Sequence, residues 1–104
     1  MKIATRFKLK PDTQEEYKRR HDELWPEMAS LMREAGICNY TIWNRGEELF
    51  GYFETDDYEK CLKCIGSSDV KKRWDAYMSD IVVFDDDSDA NIGNDMRLMF
   101  EFDG

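Results

Sequence analysis

In the run EEYKRRHDELWPEM, Glu15 to Met28, the single histidine of the chain, His21, stands four residues after Tyr17. Residues four apart on a helix lie one above the other, so this spacing sets an imidazole beside a phenol. Imidazole has an unperturbed pKa of about 6.5 and can take or give a proton near neutrality. The pair suits general acid–base chemistry, while the plainer reading makes His21 a core histidine satisfied by a hydroxyl or carbonyl. Trp25, Tyr40, Trp43 and Trp74 supply flat apolar faces that, with Tyr17, would line a pocket combining stacking surfaces and hydroxyl donors. Such a lining fits a sugar, whose C–H faces stack on rings while its hydroxyls bond to polar edges. The bland alternative is that these aromatics are core.

Other candidate sites are weaker. Cys61 and Cys64 form a CxxC, but no second ligand pair, nearby histidine or redox setting accompanies them, so all three cysteines, with Cys38, read as small apolar residues. The acidic run Asp85, Asp86, Asp87, Asp89, Asp95 lacks the glycine and glutamate of a calcium loop in either register and reads as solvated loop. Neither a phosphate-cradling glycine loop nor a dinucleotide fingerprint is present, so no metal and no cofactor is expected.

The elements that must carry the pair follow from periodicity. Residues 2 to 9 alternate as a strand, stopped by Pro11-Asp12. Asp12 and Glu15 have capping-box spacing, and Tyr17, His21, Trp25, Met28 and Met32 form one helical stripe ending near Gly36. Pro26 predicts a kink or break just beyond His21. Ile37–Trp43 and Glu48–Glu54 read as a hairpin turning at Gly46, 57–65 as a helix, and a second helix follows Ser67 or Ser68. Arg97–Phe102 reads as a closing strand. The order β, α, β, β, α, β predicts an α+β, ferredoxin-like sandwich of the dimeric α/β barrel type, one domain over residues 1–104. Leu49 with Phe50, Tyr52 with Phe53 and Leu98-Met99-Phe100 make strands apolar on both faces, which predicts a symmetric homodimer.

With 23 acidic against 15 basic residues the formal charge is −8, which argues against nucleic acid or anionic membrane as partner. There is no apolar run of membrane-span length and no signal-peptide core, so a cytoplasmic protein is expected.

Pro11-Asp12, EEYKRRHDELWPE (Glu15–Glu27), Asn39-Tyr40 and SSDVKKRWDAYMSD (Ser67–Asp80) together resemble the L-rhamnose mutarotase family over nearly the whole length. The resemblance implies a dimeric ferredoxin-like isomerase that exchanges the α and β anomers of L-rhamnose without a cofactor. It puts the proton donor on His21 and sugar contacts on Tyr17, Tyr40 and Trp74. His21 would then donate to the ring oxygen, with a tyrosine or a bound water relaying the other proton. Where the family carries a tandem tryptophan this chain has Trp74 followed by Asp75, a carboxylate that bonds hydroxyls, and Asp75 joins the expected contacts on its own chemistry. Other readings of the same features are a cofactor-free or haem-type monooxygenase of the dimeric α/β-barrel type and a sugar-binding module without turnover.

Overall fold

In the computed structural model, residues 1–83 and 96–103 are described, and the acidic run read as a loop lies outside them. The elements run β1 (Lys2–Leu9), α1 (Gln14–Asp22), α2 (Pro26–Glu34), β2 (Cys38–Arg45), β3 (Glu48–Glu54), α3 (Tyr58–Gly66), α4 (Asp69–Met78) and β4 (Val82–Val83). The sheet has the order β2-β3-β1-β4 with every pair antiparallel. That is the ferredoxin-like arrangement predicted.

Alternation along the strands sets one face against the helices. Thr5 and Leu9 of β1 and Leu49 and Phe53 of β3 are buried, and they meet Met28 and Leu31 of α2, Cys61 and Ile65 of α3 and Trp74 and Met78 of α4. Fully burying one such side chain contributes roughly 1.5–3 kcal/mol, so this layer supplies most of the force that holds helices to sheet.

The expected break falls where proline demands it. α1 ends at Asp22, and Pro26 opens α2 as its first residue, where the missing N–H costs no hydrogen bond. The helix start differs from expectation. Asp12 adopts a left-handed φ of 61°, and the Thr13 hydroxyl donates back to the Lys10 carbonyl at 2.7 Å instead of accepting from the first turn, so no capping box forms. Farther on, Asp57 and Ser68 do cap α3 and α4, accepting from Lys60 N and Lys71 N.

The fourth strand is also not the one predicted. Val82 and Val83 follow α4 directly and pair with Leu9 and Lys8, while Arg97–Phe102 stays outside the sheet with Phe100 and Phe102 about four-fifths exposed. A three-residue link delivers the valines to the Lys8–Leu9 end of β1. Lys2 meets Glu101 at 2.6 Å, which brings the C-terminal segment alongside the start of β1. On the outer face, Trp43 lies opposite Phe50, 69% and 37% exposed.

Candidate active site

The gap between α1, α4 and the inner face of β2 holds a cavity of about 540 Å³, within the range of small-molecule sites. Tyr17, His21, Tyr40 and Trp74 all line it. Of the other predicted contacts, Trp43 points to the outer face, Trp25 packs behind against Trp74 and Tyr77, and Asp75 is not on the cavity wall.

α1 presents the first two residues as their spacing requires. The Tyr17 and His21 rings stack with centroids 4.2 Å apart, and the imidazole edge meets Trp74 of α4 at 5.3 Å. Arg20, on the adjoining face of α1, fixes this approach. It is buried, donates to both carboxylate oxygens of Asp80, to the Tyr77 carbonyl and to Glu16, and lies 4.5 Å over the Tyr77 ring. A buried guanidinium satisfied from two elements acts as a clamp between α1 and the end of α4.

Tyr40 reaches the cavity through an irregularity that periodicity does not reveal. The β2–β3 register slips between Cys38 and Thr41, and Asn39 takes a left-handed φ of 52° with its amide donating to Glu54. Such a bulge re-aims a neighbouring side chain, here placing the Tyr40 ring 5.4 Å from Phe53. Gly51 makes the floor beneath it. A Cβ there would stand 2.4 Å from Thr5 Oγ1 and 3.6 Å from the Tyr40 ring, so only glycine leaves room for both.

Hydrogen bonding sets the proton inventory. His21 Nδ1–H donates to the Tyr17 carbonyl at 3.1 Å, which assigns the neutral tautomer and leaves Nε2 as an acceptor. Among the described residues the only fully buried side-chain nitrogen or oxygen without a partner is Thr5 Oγ1. His21 Nε2 and the Tyr17 and Tyr40 hydroxyls make no protein hydrogen bond there either, so they are open to the cavity. Burial lowers the His21 pKa below its usual 6.5, opposed by the Tyr17 carbonyl and the Asp22 charge. Burial also pushes Tyr40 up to about 12 and Tyr17 higher still. At neutral pH the site therefore pairs an uncharged imidazole base with two protonated phenols.

The residue missed by sequence reasoning is Lys71. It lines the cavity, and its ammonium donates to both oxygens of Asp75 at 2.5 and 2.7 Å. The signal was present in the four-residue spacing of Lys71 and Asp75, but lysine on a helix reads first as solvated surface.

The profile of the L-rhamnose mutarotase family matches residues 2–102. The L-rhamnose mutarotase of Tolumonas auensis is 41% identical over 76 residues, 71% of this chain and 72% of that protein. That of Lachnoclostridium phytofermentans is 35% identical over 102 residues, 96% of each. The crystal structure of the L-rhamnose mutarotase of Formosa agariphila superposes with a TM-score of 0.77 at 27% identity, covering 97% of this chain and 99% of that one. These matches do not favour the monooxygenase or the binding module without turnover. With the profile spanning all but three residues and the fold in agreement, the chain belongs to the L-rhamnose mutarotase family and is an isomerase of sugar anomers.

Proposed function

We propose that this protein interconverts the α and β anomers of L-rhamnose or a related deoxyhexose by general acid–base catalysis, with His21 as the catalytic residue and Tyr17, Tyr40 and Trp74 as sugar contacts. The observation that carries the reading is the His21 ring, tied at Nδ1 to the Tyr17 carbonyl and open at Nε2 to a cavity shared with two protonated phenols.

Anomer exchange requires one proton to leave the anomeric hydroxyl and one to reach the ring oxygen as the C1–O5 bond breaks. His21 Nε2 accepts the first, and a tyrosine hydroxyl, directly or through a water, supplies the second. The open aldehyde rotates about C1–C2 and recloses. His21 then returns its proton to the anomeric oxygen, and the phenol recovers its own from the attacking hydroxyl. Both groups end as they began. This order refines the expectation that His21 donates: burial favours the uncharged ring, which accepts on opening and donates on closing. Burial raises the phenol pKa values, which keeps the tyrosines as proton sources and excludes phenolate as the resting base.

The test is magnetisation exchange between the anomer resonances of L-rhamnose. The protein should accelerate it at catalytic concentration, and exchange at the buffer rate for L-rhamnose and a panel of deoxyhexoses would overturn the proposal.

The working unit is a homodimer. Support comes from the apolar outer face around Trp43, Phe50 and Tyr52 and from the exposed Leu98, Met99, Phe100 and Phe102, which a second copy of the chain would cover. Sedimentation showing only monomer at micromolar concentration would refute this. The protein works in the cytoplasm, a reading supported by its three unpaired cysteines, which a reducing compartment would keep as thiols.

A further inference from the structure

The Lys71 side chain is only 12% exposed, yet the pair it makes with Asp75 does little for the helix. Its cation occupies the first turn of α4, where the positive end of the macrodipole opposes it, and an i,i+4 pair is weaker with the base preceding the acid. Lys18 and Asp22 on α1 repeat this order and also border the cavity, but at 71% and 61% exposed their charges stay hydrated, unlike that of Lys71. Taking an ammonium out of water is costly unless it is paired, and Asp75 supplies that pairing while Lys71 itself borders the cavity. The cavity is where Lys71 is placed to be used. Much of the remaining wall is apolar, including Leu24, Met28, Met32, Ile42 and Met78, and suits the C–H faces and methyl group of a deoxy sugar. Ring hydroxyls taken from water need partners, and Lys71 is one of the polar residues that the wall offers, with Gln14, Glu15, Lys18, Asp22 and Asn44.

We infer that Lys71, steered by Asp75, contacts the substrate by donating to one sugar hydroxyl, and that this contact selects sugars carrying that hydroxyl. The inference rests on the mutarotase reading above. Asp75 acts as a positioning residue, because its carboxylate orients the ammonium without lining the cavity. Loss of a charge-assisted hydrogen bond weakens binding by roughly ten- to a hundredfold.

The experiment measures anomer exchange by wild type, Lys71→Met and Asp75→Asn on L-rhamnose and on its 2-, 3- and 4-deoxy analogues. Lys71→Met should raise KM for L-rhamnose about tenfold or more while kcat changes far less. That penalty should vanish for the one analogue lacking the contacted hydroxyl, and Asp75→Asn should repeat the pattern more weakly. Circular dichroism checks the fold, and should Lys71→Met not fold, Asp75→Asn carries the same comparison. An unchanged KM, or one raised equally for L-rhamnose and all three analogues, would overturn the inference and leave the pair as scaffolding. Wild type that accelerates no sugar at all would instead sink the mutarotase reading, and this inference with it.

Discussion

Two walls of one cavity treat buried titratable groups differently. On the α1 side, Tyr17 and His21 lie in aromatic surroundings with no salt bridge, and desolvation drives both toward their uncharged forms. On the α4 side, Lys71 is about as secluded but is met by both oxygens of Asp75. The lesson is that two equally secluded sites differ by what faces them, aromatic rings on one wall and a carboxylate on the other. The first wall thereby holds an imidazole and a phenol in their uncharged forms, and the second an amine hydrogen-bonded to a carboxylate.

Breaking the first wall should have the largest effect. His21→Ala should lower kcat/KM for anomer exchange by about 10²–10⁴-fold with circular dichroism unchanged, whereas a loss of a few-fold would mean that the imidazole only packs. The pH profile sharpens the same point. Because the folded His21 pKa lies below 6.5, kcat/KM should hold flat from pH 9 down past 6.5 and then fall about tenfold per unit as Nε2 protonates. The unfolded chain binds its proton near 6.5 while the folded one does not, so stability should start to decline as the pH drops below 6.5, before the activity falls, and level off below the folded pKa. An acid limb above 6.5 would place the proton on another group.

Smaller effects probe what holds the walls together. Arg20→Met removes the clamp between α1 and α4; Glu16 keeps Arg19 and Asp80 is largely exposed, so the loss, chiefly of the hydrogen bond to the Tyr77 carbonyl, should be about 1 kcal/mol in urea unfolding. Gly51→Ala forces a methyl against Thr5 Oγ1, and overpacking of this kind costs roughly 1–3 kcal/mol. Since the same methyl borders the Tyr40 ring, KM should rise with it, and adding Thr5→Ala should restore stability. At the far side of the sheet, replacing exposed Trp43 by glutamate should shift sedimentation toward monomer with the least effect on the chemistry of an isolated subunit.

How far the sequence discloses this site varies by element. The Tyr17–His21 stack is readable because helical spacing is rigid, and the break before Pro26 because proline has one comfortable place at a helix start. The aim of Tyr40 is not readable, since it depends on a bulge at Asn39 that shifts strand register by one residue. Arg97–Phe102 misleads for a different reason. Its composition is that of a strand, but composition names no pairing partner, and the segment that pairs with β1 at Lys8 and Leu9 is Val82–Val83. Lys71 escapes notice because charge on a helix predicts solvent, and only the packed structure reveals that one of its neighbours is a cavity.

The most direct test of the account is a ¹⁵N NMR titration of the imidazole, free of overlap because the chain has one histidine. The predicted result is a neutral ring protonated at Nδ1, a pKa below 6.5, and an Nε2 resonance that moves when L-rhamnose is added. A ring protonated at Nε2, or one indifferent to the sugar at saturating concentration, would contradict it.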